Sequence, residues 1–341
     1  MKYDVTIGIP VYESVDVIKR SLESALAQTY PFIEFLIIDD CGTDGSMVIV
    51  QQLQTKHPRG ADIHIVRHIQ NLGVSAARNC IIDDAQGEYL YFMDSDDIIA
   101  ENAIELMMQN VRQYDAEIVF GSYEKIETTG QRTVYQYPSL QLLHEDELAV
   151  FAYRKYDGIQ ASACNYLVKT SLLREHHHRF IDTNYWEDLV FTFDLVTLVK
   201  RAVLLPDITY SYLCRENSLS HYQHRDQISK DEILKNVHSI EHLKKTSSLL
   251  YNKVYFPNRC FNIMMTDFYI ACNILKRRKG IIPYINNCEI KSIMRYPAKW
   301  SQIVHFKHSR LKNILLYIIG KMPSYLCVAT IYCCGKMKKL L

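Results

Sequence analysis

The chain has 341 residues, 48% of them hydrophobic and 23% charged, with a formal net charge of +1. That length can bury a sizeable core, and that composition excludes a chain that is mainly disordered. The near-neutral total conceals an asymmetry: residues 290–341 carry ten Lys/Arg and no Asp or Glu, leaving 29 basic and 38 acidic residues before them, a formal −9.

The first 125 residues alternate short apolar runs with helix-like stretches. "VTIGIPVY" (5–12), "FLIIDD" (35–40), "IHIVRH" (63–68), "YLYFMD" (89–94) and "EIVFGSY" (117–123) read as strands. Helical spacing is seen over 15–28, 46–56, 75–85 and 103–114. Strands that are apolar throughout, rather than alternating, predict a mostly parallel sheet covered on both faces. The β-α order therefore predicts a doubly wound, Rossmann-like α/β domain whose ligands lie beyond the carboxyl ends of its strands. Further along, 186–200 is predicted as a helix with acids in its first turn, 203–213 as a strand, and 226–279 as helical with a break at Pro257.

The last segment, 311–341, is apolar between Ile314 and Gly335 except for Lys321. A Lys in mid-span costs roughly 3 kcal/mol on insertion scales, and Pro323 follows it, so two short interfacial segments, 311–321 and 324–334, are expected rather than a span. A helical hairpin packed on the body is the competing expectation. The ten cysteines form no CxxC pair, and Lys2, Tyr3 and Asp4 do not open a secretory signal, so free thiols in a reducing cytoplasm are expected.

Four groups can carry chemistry, three of them at or near predicted strand ends. Asp39 closes the second strand, where a buried carboxylate needs a partner such as a nucleobase N–H. Asp40 is beside it, and Asp44 or Ser46 is placed to cap the next helix. "NLGVSAARN" puts Arg78 on a helix that starts at the same edge, where it could meet a base or phosphate. "DSDD" (94–97) crowds three carboxylates, as a hard divalent cation and its phosphate ligand would require. "WED" (186–188) supplies Glu187 and Asp188; besides favouring a helix start, one of them could serve as a general base. A solvated turn with Asp97 as a supporting or capping group is the bland alternative for DSDD.

Taken in order, "IPVYE", "IIDDCGTDGS", "NLGVSAARN", "YFMDSDD", "WEDLVF" and "CRENSLSH" resemble the inverting nucleotide-sugar glycosyltransferases of family 2, which have the GT-A fold. The resemblance runs from residue 3 to 221. It implies that Pro10, Val11, Tyr12 and Glu13 line the nucleotide pocket, with Glu13 standing where Asn is usual. Asp39 would accept from a uracil-like N3–H, and Arg78 would lie near the base or phosphates. Asp94 and Ser95 would contact the nucleotide, Asp94 at the ribose, and Asp96 would hold Mn²⁺ or Mg²⁺ on the diphosphate. Asp188 would be the base, with Glu187 beside it. Arg215, Ser218, Ser220 and His221 would close over the diphosphate, with His221 reaching the metal. Cys41-Gly42 departs from the usual Gly-Ser, and no Gln-x-x-Arg-Trp motif of processive synthases follows.

The expected organisation is a catalytic domain over 1–225, split near 125 into nucleotide-sugar and acceptor halves, then a helical extension over 226–300 and a membrane-associating tail over 301–341. The expected activity is transfer of one sugar, from a UDP-sugar or similar donor, to a glycan or lipid-linked hydroxyl in surface polysaccharide synthesis. The enzyme is expected on the inner face of the cell membrane, against anionic lipid and with no nucleic-acid partner. A sugar nucleotidyltransferase is the enzymatic alternative, but "IPVYESVDVIK" lacks its Gly-rich basic loop. A non-catalytic nucleotide-sugar binding subunit would not need Glu187 and Asp188.

Overall fold

The computed structural model describes residues 2–154, 158–183, 186–215 and 227–341. The expectations for Ser218, Ser220 and His221 lie outside the described residues. The chain divides into two compact units, residues 1–148 with 161–218, and residues 149–160 with 219–341.

The first unit follows the alternation read above. It contains β1 (Val5–Val11), α1 (Ile18–Leu26), β2 (Ile33–Asp39), α2 (Ser46–Lys56), β3 (Ile63–Arg67), α3 (Val74–Asp84), β4 (Tyr89–Phe92), β5 (Ile98–Ile99), α4 (Ala103–Tyr114) and β6 (Ile118–Ile126). Then come β7 (Arg132–Tyr135), β8 (Leu140–Leu142), α5 (Glu147–Arg154, which crosses into the second unit), β9 (Tyr166–Lys169), α6 (Thr170–Glu175), α7 (Glu187–Leu195) and β10 (Ala202–Leu213). The sheet order is β3-β2-β1-β4-β9-β6-β10-β5, with β7 on β6 and β8 on β10. β3, β2, β1 and β4 are parallel, but β9 enters antiparallel between β4 and β6. β2 is buried along its whole length, as the unbroken apolar run requires of a strand covered on both faces.

Helix placement follows side-chain periodicity. α1 buries Ile18, Ser21, Leu22, Ala25 and Leu26, one face of a 3.6-residue helix. α3 sits very close to β1: a Cβ on Gly8 would lie 2.3 Å from Ile81 Cγ2, so only glycine lets that helix seat there. α7 ends at Leu195 rather than continuing to 200, because the chain turns back at 196–198 to enter β10.

The second unit is helical: β11 (Ile228–Ser229), α8 (Lys230–Ser247), α9 (Phe256–Arg277), β12 (Ile281–Ile282), α10 (Asn287–Ile293), α11 (Trp300–Ile303), α12 (Arg310–Lys321) and α13 (Ser324–Met337). α8, α10, α12 and α13 all pack on α9. Pro257 does not break a helix. The break lies at 248–255, and Pro257 stands in the first turn of α9, where its missing N–H has no intrahelical partner to lose. Fully buried Arg259 donates to Ser247 Oγ, Tyr153 OH and Thr246 Oγ1 at 2.5–3.0 Å. Lys244 pairs with buried Asp267 at 2.7 Å. The expected segments 311–321 and 324–334 are α12 and α13, which bury Asn313, Leu316, Ile319 and Cys327, Ile331, Gly335 respectively. No helix among the described residues is long and apolar enough to cross a membrane. All ten cysteines are free thiols.

Candidate active site

The site begins where the central ladder stops. β1 pairs with β4 only from Val5 to Gly8, and the last bond of that edge runs from the Met93 N–H to the Gly8 carbonyl. By the alternation of a strand, Pro10 presents its nitrogen to the same edge, and proline has no N–H to extend the pairing. The chain past Phe92 is thus released from the sheet, and Asp94, Asp96 and Asp97 follow at once. Beyond β1, Tyr12 is 48% exposed and Glu13 takes a left-handed φ of 47°. Ser14 ties this turn to the acidic one, its Oγ lying 2.8 Å from Ser95 Oγ.

At the end of β2 the two aspartates have separate tasks. Asp39 accepts from the Cys41 N–H and pairs with the exposed Arg67 at 3.1 Å. Asp40 is a brace: its carboxylate takes the N–H groups of Leu72 and Gly73 at 2.9 and 2.8 Å and the His68 ring at 2.7 Å. Those contacts hold the loop that leads into α3. Asp44 satisfies the Ser46 N–H at the start of α2 and the Val15 N–H. Asp40→Ala leaves those donors without an acceptor and is expected to cost about 1–3 kcal/mol of stability, read from the denaturant midpoint.

The carboxylates of Asp94, Asp96 and Asp97 each offer an oxygen within 4.8 Å of the others. They are not equivalent. Asp97 is 1% exposed, and its oxygens are taken by the Tyr210 hydroxyl at 2.6 Å and the Leu213 N–H at 2.9 Å. Burial, reinforced by Asp94 and Asp96, pushes it up to about 8. It anchors the end of β10 and, among the described residues, caps no helix. Asp96 accepts from the Arg215 guanidinium, which comes from just beyond β10. Burial and Asp94 raise its pKa, and Arg215 opposes them. Asp94 and Asp96 retain the more accessible side chains, 31% and 17% exposed. Hard, clustered oxygen donors of this kind fit Mg²⁺ or Mn²⁺.

Arg78 is 3% exposed and is not free to reach a base. Its Nη1 lies 2.5 Å from Asp188 and 3.1 Å from Glu187, and its Nη2 lies 2.7 Å from Asp94. One guanidinium on α3 therefore joins the acids after β4 to the acids at the start of α7. Burial works against its charge, but Asp188 and Asp94 more than offset this and hold it protonated.

The α7 end of this cluster is positioned by rings. Phe191 stacks on Phe180 at 3.9 Å, Phe92 at the end of β4 meets both edge-on, and Arg78 lies over the Phe180 ring. Burial pushes Asp188 up to about 7; Arg78 pulls against that shift, and Glu187 and Asp94 add to it. A carboxylate in that range is suited to take a proton near neutral pH.

The expected residues Asp94, Asp96, Glu187, Asp188, Arg78 and Arg215 are thus brought together, whereas Asp39 is engaged with Arg67 at the end of β2. Asp40 and Tyr210 were not among the expected site residues. The doubled Asp of "IIDD" was a signal for the first; nothing marked Tyr210, which is one tyrosine of 24.

Residues 6–175 match the family described as Glycosyl transferase family 2. Succinoglycan biosynthesis protein ExoO of Rhizobium meliloti is 26% identical over 231 residues, covering 66% of this chain and 65% of that protein. Among solved structures, S. aureus TarS (residues 1–349) in complex with UDP-GlcNAc is similar at a TM-score of 0.55 and 18% identity, covering 93% of this chain and 90% of that one. Mannosyltransferase PcManGT from Pyrobaculum calidifontis, in complex with GDP-Man and Mn²⁺, is similar at 0.55 and 16%, covering 97% and 87%. With that match, and with acids delivered to the carboxyl edge of a mostly parallel sheet, the chain belongs to glycosyl transferase family 2 and its fold is GT-A.

Proposed function

We propose that the protein is a metal-dependent, inverting glycosyltransferase that moves one sugar from a nucleotide-sugar, a UDP-sugar in the first instance, to a hydroxyl of a glycan or lipid-linked acceptor in surface polysaccharide synthesis. The observation that carries this is Asp188: a carboxylate pushed up to about 7, tied through Arg78 to the acidic turn after β4. The succinoglycan role of ExoO and the UDP-GlcNAc and GDP-Man bound by the two structural neighbours support the polysaccharide and nucleotide-sugar assignments.

In this reading Asp188 takes the proton of the acceptor hydroxyl as its oxygen bonds to the anomeric carbon. The bond to the diphosphate oxygen breaks on the opposite face, which inverts the centre. Glu187 and Arg78 hold Asp188 in place and tune its basicity, so positioning and fixed charge supply much of the acceleration. Asp96, with Asp94 beside it, would hold Mn²⁺ or Mg²⁺, and the ion when bound neutralises the departing diphosphate. Arg215, adjacent to Asp96, adds a second positive charge there. Asp39 and the Pro10–Glu13 turn would receive the nucleotide, and the basic tail would face an anionic membrane surface.

Asp96→Ala tests the donor site. Titration calorimetry with UDP-GlcNAc is expected to show wild-type affinity rising with Mn²⁺, and the variant losing about ten- to a hundredfold in the presence of the metal. Equal wild-type affinity with and without Mn²⁺ removes the metal assignment.

A further inference from the structure

Within the helical unit, a hollow of about 510 Å³ opens between α10, α11 and α12. Four cations line it: Lys291, Arg295, Lys299 and Lys321. Among the described residues none of the four is ion-paired, and residues 290–341 contain no acidic side chain that could pair with them. The acid of α10, Glu289, is engaged by Lys230. One wall is aromatic, with Trp300 and Tyr317 ring to ring at 5.4 Å. Its shape is built in: a Cβ on Gly320 would lie 2.2 Å from the Met294 carbonyl, so glycine is what lets α12 close against that segment. The Tyr296 hydroxyl donates to Asn313 at 2.6 Å, and Asn313 in turn donates to the Pro257 carbonyl, fixing the floor to α9.

Like charges brought together with no counter-charge repel, so such a hollow is a site for an anion. The neighbouring surface says what carries the anion. Leu311, Leu315 and Ile318 are 78%, 56% and 43% exposed, and their spacing of four and three residues puts them in one stripe along α12 that leads to Lys321 at the hollow's rim. Apolar side chains of that size on a helix face beside an amphipathic aromatic and lysines suit the boundary between lipid headgroups and acyl chains. A soluble phosphate would give that stripe no partner.

We infer that this hollow binds the phosphate of an anionic lipid headgroup, with the Leu311–Leu315–Ile318 stripe lying in the headgroup–acyl boundary. The inference rests on the reading of the basic tail as membrane-facing and deepens it by naming the site. It does not depend on the donor or the reaction.

The test is co-sedimentation of the full chain with vesicles of equal parts phosphatidylglycerol and phosphatidylcholine, against phosphatidylcholine alone. Wild type is expected to bind the first and not the second. The Arg295→Gln/Lys299→Gln pair is expected to weaken binding about twenty-five-fold, at roughly fivefold per cation beside an anionic surface. Trp300→Ala, which alters no charge, is expected to weaken it severalfold. Lys336→Gln/Lys338→Gln, outside the hollow, serves as the comparison pair, and thermal melts with UDP-GlcNAc check that each variant is folded and that donor binding is unmoved. Equal losses from both Lys/Arg pairs with no effect of Trp300→Ala would mean diffuse attraction and overturn the pocket while leaving the membrane-facing tail intact. No vesicle binding by wild type overturns both. Binding of inorganic pyrophosphate that survives in the absence of any vesicle affinity assigns the hollow to a soluble phosphate and likewise overturns the inference.

Discussion

Asp188→Asn is expected to lower kcat by about 10²–10⁴-fold while leaving nucleotide-sugar affinity close to wild type, because the substitution removes proton acceptance and little else. The fold is expected to survive, since Arg78 keeps Asp94 and Glu187 as partners when Asp188 loses its charge. Wild type should also carry a pH signature. The pKa of Asp188 is raised to about 7, so the protonated, inactive form dominates below that pH and the rate climbs as pH rises through it. The Asn variant should lose that limb. Radiolabelled sugar transfer, followed across pH with donor affinity measured separately, separates these outcomes; near-normal turnover by Asp188→Asn eliminates it as the base.

The second large effect is structural. Arg78→Met is expected to destabilise the first unit by about 3–5 kcal/mol, the usual cost of leaving buried charges without their counter-charge. Asp94, Glu187 and Asp188 would then face one another across a space from which their shared cation had been removed. The sign of the pH dependence follows. Arg78 pulls the Asp188 pKa down, so without it Asp188 takes up its proton at a higher pH than in wild type; the deficit should narrow as pH falls toward about 7 and level off below it. Denaturant unfolding at several pH values reads both the size and the trend. Arg78→Lys is expected to restore only part of the loss, since an ammonium cannot fork toward three carboxylates as a guanidinium does. A variant as stable as wild type at neutral pH would show that the cluster holds itself without Arg78.

Much of this was legible in one dimension. The apolar runs that predict strands at 5–12, 35–40, 63–68 and 89–94 mark β1 to β4 to within a few residues, and the stretches 46–56 and 103–114 coincide with α2 and α4. These elements are local: a run of Ile, Leu, Tyr and Phe without polar alternation suits only a position covered on both faces. The strands that went unpredicted fall where the periodic signal is short. β9 has four residues, β8 has three, and nothing in "YLVK" specifies an antiparallel partner on each side. The Pro257 break failed for a related reason, as proline stops a helix in its interior and starts one at its first turn, and only the observed boundary distinguishes the two.

Arg78 shows the other limit. From its place in "NLGVSAARN" it could be read toward a base or a phosphate, yet its partners lie 16, 109 and 110 positions away. Asp97 is similar: as one acid of "DSDD" it looked like a turn or cap, and the residue that claims it, Tyr210, is 113 positions distant.

By itself the sequence determined the strand and helix succession, the delivery of acids to strand ends, and a basic, acid-free C-terminal region, because each depends on neighbours along the chain or on composition alone. Tertiary structure decided which carboxylate does what. Asp40 became a loop brace, Asp97 an anchor for β10, and Asp188 a buried carboxyl whose pKa is pushed up to about 7, while four scattered cations came to line one hollow. Pairing and burial set those roles, and both are made by contacts between residues far apart in sequence, which no local pattern encodes.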